Sequence, residues 1–445
     1  MNRTKKKFLI IDILVLIVLA VVLGVSMVWS RDIELKLGLL YYAEVDEPEE
    51  EPQEPDGEEE VIDYTKYPQM YVHFVDVGQG DCTIIELPDG KTMVIDGGED
   101  TKAVKSAVDT FIDNTFGSDF KYFDYAILTH PDSDHCGSFD YILNNYPARV
   151  VYRPNVEATA ITDPGKNDLS DPIPKSTPTY ADSVKAMYQT TEDFTSVVYV
   201  TDPESESQTI KGGEGDDAYT FTFYSPISKR YGTTEKNASW NDYSPIMILE
   251  YKGFKFAMSG DAEEKNLGEF AAKVQESKAN GVPDKYDVFT DTYCVNVIKA
   301  GHHGSRNATT LDYLNAITTE TGAAGVYTVI SCGAGNRYKH PHAEALDRYK
   351  KIGVKDENIL RTDEVGDITF SVHLDEAGVY KLYYGGKATK APVLALVYKT
   401  IGSIELKWAI VAWTVYAVLV IAAVIHIVFF GGETTGSGKK SGRKK

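Results

Sequence analysis

The sequence predicts an α/β fold whose strands deliver polar side chains to one edge. Three observations predict it. A hairpin-rich stretch starts at residue 70, strand and helix periods alternate after it, and six of the nine histidines fall in three short motifs that follow predicted strands.

Tyr71 to Val77 alternates, the turn Gly78-Gln79-Gly80-Asp81 follows, and Cys82 to Leu87 resumes the strand pattern. Pro88-Asp89-Gly90 turns the chain again, and Thr92 to Ile95 leads into Asp96-Gly97-Gly98, so an antiparallel start is expected. Val104, Ala107, Val108, Phe111 and Ile112 have helical spacing over Lys102 to Phe116. Phe123 to Leu128 reads as a strand, a helix is expected from Phe139 to Leu143, and a strand from Arg149 to Tyr152. Residues 156–215 are polar and rich in Pro, Asp, Ser and Thr, with one helical patch over Tyr180 to Tyr188. They are expected to form an insertion, either a lid or specificity surface or a plain surface excursion. Strands are then predicted at Tyr219 to Tyr224, Pro245 to Tyr251, Phe254 to Met258, Asn296 to Ala300 and Val326 to Ile330, with helices over Ala262 to Val274 and Ala343 to Lys351. Strands around Ile368 to Val372 and Val379 to Tyr384 finish the domain, which is expected to span 64–390.

The flanks have a different character. Phe8 to Trp29 is almost wholly apolar, broken by Asp12, and follows Arg3, Lys5, Lys6 and Lys7. Its length and the absence of a small-x-small cleavage pattern favour an uncleaved anchor over a signal peptide, with residues 1–30 as the anchor segment. Trp408 to Phe430 is a second candidate span, followed by the basic tail 431–445; residues 391–407 connect it to the domain. The positive-inside rule places both termini in the cytoplasm and the domain outside a cell membrane. Between Glu44 and Asp63 stand twelve acidic residues and no basic one, with three prolines, so 31–63 reads as an extended acidic linker. That run accounts for more than half of the formal charge of −21, and the mildly acidic remainder does not indicate a broad nucleic-acid-binding face. Cys82, Cys136, Cys294 and Cys332 form no CxxC pair, and spacing alone does not pair them.

The chemistry concentrates in Thr129-His130-Pro131-Asp132-Ser133-Asp134-His135, with four candidate metal ligands within six residues. Imidazoles and carboxylates together suit borderline and hard divalent cations, which make a water nucleophilic near neutral pH. Polar groups recur after other predicted strands, at Asp96, at Asp261 behind Ser259-Gly260, and at Gly301-His302-His303-Gly304-Ser305. In isolation Asp96 and Asp261 read as turn residues and the His pair as ordinary surface or core histidines. Their shared position at strand ends argues for joint function.

The motifs FVDVGQGDC (74–82), VIDGG (94–98), LTHPDSDHCGS (128–138), SGD (259–261), KAGHHGS (299–305), SCGAGNRYKHPH (331–342) and RTDEVGDITF (361–370) resemble those of metallo-β-lactamase-fold hydrolases, specifically the extracytoplasmic hydrolase domain of ComEC competence proteins. They occur in family order over most of the expected domain. The resemblance implies an αββα sandwich flanked by two transmembrane helices. It implies a site for two divalent ions, Zn²⁺ or Mn²⁺, with His130, Asp132, Asp134 and His135 as ligands. Asp261 would bridge the ions, either His302 or His303 would complete the set, and Asp96 would hold a ligand in position. Asp132 replaces the histidine of the commonest pattern, which hardens the site toward Mn²⁺. No histidine lies between His135 and Asp261, where many relatives have one, and Asn241 is a weak substitute.

The expected activity is that of a membrane-anchored, metal-dependent phosphodiesterase or nuclease acting on DNA. Asp134 would orient or deprotonate the attacking water, while His340, His342 and Arg337 would hold the phosphate or protonate the leaving oxygen, with Gln79 and Ser305 lining the cleft. With only two predicted spans, the multi-helix transport portion of ComEC proteins is absent, so the chain reads as a tethered hydrolase rather than a DNA carrier. A cell-wall phosphodiester of the teichoic-acid type is the alternative substrate. A non-enzymatic surface protein with a vestigial metal site is the alternative class.

Overall fold

The computed structural model of the protein describes residues 40–44, 67–169, 171–189, 196–200, 208–227, 239–280, 285–290, 293–319, 323–375, 377–388, 394–398, 400–401 and 404–405. The two apolar segments and almost all of the acidic linker lie outside the described residues. Among the described residues no helix is long and apolar enough to cross a membrane.

The main unit is built from β1 (Met70–Phe74), β2 (Thr83–Glu86), β3 (Thr92–Ile95), α1 (Lys102–Phe116), β4 (Phe123–Ile127), α2 (Ser133–Cys136), α3 (Phe139–Asn145) and β5 (Ala148–Pro154). There follow β6 (Val156–Ala158), β7 (Ile173–Lys175), α4 (Pro178–Met187), β8 (Ser196–Val200), β9 (Thr209–Gly212), β10 (Tyr219–Phe223), β11 (Met247–Tyr251) and β12 (Phe254–Met258). The last part comprises α5 (Glu264–Asn280), β13 (Val297–Lys299), α6 (Leu311–Ile317), β14 (Tyr327–Ile330), α7 (Ala343–Lys351), β15 (Ile359–Arg361), α8 (Thr362–Val365), β16 (Ile368–Leu374), β17 (Tyr380–Tyr384) and β18 (Lys387–Ala388). Elsewhere, Leu40–Glu44 pairs with Leu394–Tyr398, and Thr400–Ile401 with Ile404–Glu405.

Nine strands form one sheet in the order β18-β17-β16-β1-β2-β3-β4-β5-β8, and seven form the other in the order β9-β10-β11-β12-β13-β14-β15. Each sheet starts antiparallel and turns parallel, from β3 onward in the first and from β12 onward in the second. The inner faces pack together through Met70, Val72, Phe74, Phe221, Leu249, Phe256 and Val297, all essentially inaccessible to solvent. Burying each such side chain stabilises the fold by about 1.5–3 kcal/mol. On one outer face Val104, Val108 and Ile112 of α1 pack with Ile142 of α3 and Val184 of α4; on the other, Leu267 and Phe270 of α5 pack with Leu314 of α6 and Tyr349 of α7. The result is four layers, helix, sheet, sheet, helix. Helix α1 begins where the Thr101 hydroxyl accepts from the Val104 amide and stops at Gly117, whose φ of 85° no side-chain-bearing residue adopts easily.

The sequence expectation falls short at the insertion. Its residues extend both sheets, β8 adding an edge strand beside β5 and β9 one beside β10. The segment Ser196-Val197-Val198-Tyr199-Val200 has strand-forming residues, but the polar composition around it hides a strand with one half-exposed face. The first half of the insertion is pinned to the core by a buried ion pair. Arg153 Nη2 lies 2.9 Å from Asp163 Oδ2, and Asp163 also accepts from the amides of Ala158 and Gly165. Further differences include one helix boundary and two elements that were not expected. Helix α5 runs from 264 to 280, because Ala262 closes a turn onto Ser259. Helix α6 and strand β15 are too short to declare a period.

Candidate metal centre

The C-terminal ends of β3, β4, β12, β13 and β14 carry the loops that contain Asp96, residues 129–135, Asp261, residues 301–305 and residues 331–342. Both sheets therefore contribute to one site, His130, Asp132, Asp134 and His135 from the first and Asp261, His302 and His303 from the second. The loop after β4 closes into the short helix α2 as the Asp132 carbonyl accepts from the amides of His135 and Cys136. It is held against the first hairpin by the Asp81 amide, which donates to the Asp134 carbonyl at 3.1 Å. That approach requires glycine at position 80: its φ is +148°, and a Cβ there would stand 2.5 Å from the Asp134 oxygen.

The four histidines share one arrangement. His135 Nδ1 is 2.8 Å from Asp96 Oδ2, an oxygen that can only accept, so the proton sits on Nδ1. His303 Nδ1 likewise donates to the Ser331 carbonyl at 2.9 Å. His302 Nδ1 is 3.1 Å from Glu263 Oε1. His130 Nδ1 lies 3.1 Å from Thr129 Oγ1, whose own proton goes to Asp96 Oδ2 at 2.7 Å. Each Nδ1 is thus occupied by an acceptor, and each Nε2 is the ring nitrogen left facing inward.

The Nε2 atoms converge on Asp261. His135 Nε2 lies 3.0 Å from Asp261 Oδ1, while His302, His303 and His130 place theirs 3.5, 3.7 and 3.8 Å from Oδ2. Asp134 Oδ2 is 3.2 Å from His303 Nε2, and Asp132 Oδ2 is 3.8 Å from His130 Nε2. Both histidines of the His302-His303 pair therefore face the cluster, a choice sequence left open. The buried atoms His130 Nε2 and Asp261 Oδ1 make no hydrogen bond, and the Nε2 atoms of His135 and His303 confront each other at 3.3 Å. Nitrogens so placed fit a cation that displaces their protons, and the buried Asp/His cluster can bind a metal ion. The charges agree. Burial raises the Asp134 carboxyl, but the hydrogen bond from His303 and the charge of His135 outweigh it and hold it down at about 2. Burial lowers the His303 imidazole, yet Asp261 and Asp81 push it up to about 10. The cluster draws positive charge into itself.

Asp96 stands behind His135, as expected from sequence. It is buried, with a φ of 60°, and accepts from the Thr129 amide at 2.8 Å as well as from Thr129 Oγ1 and His135 Nδ1. Asn241 Nδ2 lies 3.4 Å from both Glu263 Oε1 and His302 Nδ1, beside a ligand candidate rather than in the cluster. Gln79 is tied to the 331–342 loop through the Gly333 amide, and its buried Nε2 has no partner. His340 packs against His302 at 5.4 Å between ring centroids, with a buried, unpartnered Nδ1. The remaining candidates lie further out. The Ser305 hydroxyl accepts from the Asn307 amide, His342 Nδ1 accepts from the Arg306 amide, and the exposed Arg337 guanidinium stacks on Tyr338 at 4.7 Å. Cys136 is buried and donates to the Pro131 carbonyl, away from the cluster.

Sequence reading missed two carboxylates and a lysine. Asp81, taken as a turn residue, is buried with Oδ2 2.5 Å from Lys299 Nζ and Oδ1 3.3 Å from His303 Nδ1. Ligand atoms of Asp81, His135, Asp261 and His303 lie within 4.8 Å of one another. Because Lys299 already neutralises Asp81, and Asp81 faces the Nδ1 side of His303, it orients that ring. A lysine ending the otherwise apolar β13 was the available signal. Glu263, two residues after Asp261, and Lys175, which reaches Asp132 from the insertion at 2.6 Å, carried none.

Comparison with known proteins gives the fold its kinship. Residues 75–203 match the Metallo-beta-lactamase superfamily. ComE operon protein 3 of Bacillus subtilis is 22% identical over 324 residues, covering 70% of this chain and 34% of that protein. Competence protein ComA of Neisseria gonorrhoeae is 35% identical over 176 residues, covering 38% of this chain and 21% of that protein. This chain thus spans about a third of the length of the first relative and about a fifth of the second. The metallo-beta-lactamase fold protein YhfI from Bacillus subtilis aligns over 68% of this chain and 99% of its own at 10% identity, with a TM-score of 0.34. The chain carries a metallo-β-lactamase superfamily domain and resembles the ComEC competence proteins.

Proposed function

We propose that this hydrolase-family chain is a divalent-metal phosphodiesterase acting on DNA, held at the outer face of the cell membrane by the apolar segments 8–29 and 408–430 with both termini in the cytoplasm. The observation that carries the metal-dependent reading is the convergence of four Nδ1-anchored imidazoles on Asp261. His135, Asp134, His303 and Asp261 would hold one Zn²⁺ or Mn²⁺, and His130, Asp132, His302 and Asp261 a second. When bound, such ions make a water nucleophilic and neutralise charge building on phosphate oxygens.

The chain's own groups supply the rest. Asp134, ionised down to about pH 2, would orient the attacking water or take its proton at Oδ2. Burial and the neighbouring imidazoles hold His340 down at about 4, so at neutral pH it donates a hydrogen bond from a neutral ring to a phosphate or leaving oxygen. Arg337 and His342, at the open side, suit the flanking phosphate, Arg337 with a bidentate fork. Gln79, Ser305 and Asn241 would shape the cleft around the bound substrate. DNA as substrate is supported by the competence proteins among the relatives.

The test is cleavage of single-stranded DNA, double-stranded DNA and bis-p-nitrophenyl phosphate across Mn²⁺, Zn²⁺ and Mg²⁺, with Asp134→Ala as control. Metal-dependent DNA cleavage that disappears in Asp134→Ala is expected. Cleavage of the small diester without DNA cleavage would transfer the assignment to an envelope phosphodiester such as teichoic acid. A stoichiometric ion without turnover on any diester would leave a metal-binding surface protein.

A further inference from the structure

Lys175 is the one residue of the insertion whose charge reaches the metal centre in the described structure. Its Nζ lies 2.6 Å from Asp132 Oδ1, its side chain is only 10% exposed, and the Trp240 ring covers it at 3.7 Å from the centroid. Strand pairing fixes its place, with Lys175 in register with Ala158 and its carbonyl accepting from the Thr159 amide. The turn that begins at Trp240 also brings Asn241 to His302. One backbone turn therefore backs both sides of the half-site formed by His130, Asp132 and His302.

Among the described residues the other half has no such cation. Lys299 has its charge committed to Asp81, which lies on the Nδ1 side of His303, and Asp134 Oδ2 lies 3.2 Å from the His303 imidazole. We infer that Lys175 sets the balance between the two halves, making the half around His130, Asp132 and His302 the weaker cation site. This rests on the metal-dependent reading above. A carboxylate whose oxygen is shared with an ammonium gives less charge to a divalent ion, and the ammonium itself repels that ion at short range. The insertion thereby acts on metal occupancy, and the half-buried Asp132 carboxylate is kept from acting as a fully charged ligand.

The experiment is Mn²⁺ titration of the full chain, with free ion counted by electron paramagnetic resonance, for the wild type, Lys175→Met and Lys175→Arg. Methionine keeps the apolar stem against Trp240 and removes the charge. The wild type should show one tight and one weak class of ion, and Lys175→Met should tighten the weak class by about tenfold or more, given one unit charge removed a few ångströms away. Lys175→Arg should titrate like the wild type. Asp132→Asn, which keeps the size of the side chain, should lose the weak class and retain the tight one. Two equal classes in the wild type, or a weak class that Lys175→Met leaves unchanged, overturns the inference while leaving metal binding intact. Absence of Mn²⁺ binding in all four proteins overturns both the inference and the metal-dependent reading.

Discussion

Asp96→Asn tests the idea that one buried carboxylate sets the protonation of two ligand rings. Asp96 accepts three hydrogen bonds, from the Thr129 amide at 2.8 Å, Thr129 Oγ1 at 2.7 Å and His135 Nδ1 at 2.8 Å. Asparagine is isosteric but has one acceptor oxygen and one NH₂ donor. If its oxygen stays on the Thr129 amide, the NH₂ faces two donors, Thr129 Oγ1–H and His135 Nδ1–H. The conflict is relieved when His135 gives up its Nδ1 proton and keeps one on Nε2, which blocks the nitrogen that faces Asp261. Thr129 Oγ1 then turns its proton toward His130, and that ring is driven the same way. Loss of such an orienting partner lowers metal affinity by about 10–100-fold, or about 1.4–2.7 kcal/mol. The fold itself should lose about 1.5–3 kcal/mol for the charge-assisted bonds given up. Mn²⁺ titration gives the affinity, and two-bond ¹H–¹⁵N spectra of the metal-free protein give the His135 tautomer. Wild-type affinity together with an Nδ1–H tautomer in Asp96→Asn would refute the reasoning.

Four further outcomes follow from the same geometry. Removing divalent ions with a chelator should lower the melting temperature by roughly 5 °C relative to metal at about a hundred times its dissociation constant, as scanning calorimetry would record. Asp163→Asn breaks the buried pair with Arg153 and should cost about 3–5 kcal/mol at pH 7, read from urea unfolding. Burial raises the Asp163 carboxyl, but the Arg153 hydrogen bonds and charge outweigh it and lower the carboxyl in the fold, so its contribution is complete above about pH 4 and lost as pH falls. The stability difference between wild type and Asp163→Asn should therefore narrow on acidification, and a gap that is constant from pH 7 to 3 would count against the pair. Gly80→Ala should displace the Asp134 loop and reduce metal affinity more than it reduces stability, measured by titration beside thermal unfolding. The four cysteines are free and buried, so a thiol reagent should label them in denaturant and hardly at all in the native protein.

The ligand loop was legible because its information is local. Four donors within six residues after an apolar run leave few structural explanations, and the strand that positions them ends at Ile127, one residue before the expected Leu128. Asp96 and Asp261 were legible only through their shared place after predicted strands and through family resemblance, since by themselves they are turn residues. Asp81, Glu263 and Lys175 were not found, for a common physical reason: each acts by pairing with a group its own segment does not announce. Lys175 and Asp132 lie 43 residues apart, and nothing in the polar insertion marks one lysine among several. The two edge strands of the insertion were hidden for the opposite reason. Half-exposed edges need little apolar alternation, so their composition resembles that of a loop.

The site also explains why the fold needs both sheets. His130 and His135, with Asp96 behind them, are fixed to the first sheet, while Asp261, His302 and His303 are fixed to the second. No covalent bond sets the distance between these groups; the packed layer of Met70, Phe74, Phe256, Met258 and Val297 does, with the Asp81–Lys299 ion pair beside it. Met258 ends the strand that leads through Ser259 and Gly260 to Asp261, so the side chain that fills the inter-sheet core and the one that bridges the imidazoles share one short stretch of backbone. Interiors packed to crystal-like density do not yield by an ångström without losing contacts. The apolar core is therefore the ruler that keeps the Nε2 atoms of His135 and His303 facing each other at 3.3 Å, a spacing like-charged or lone-pair groups would otherwise widen.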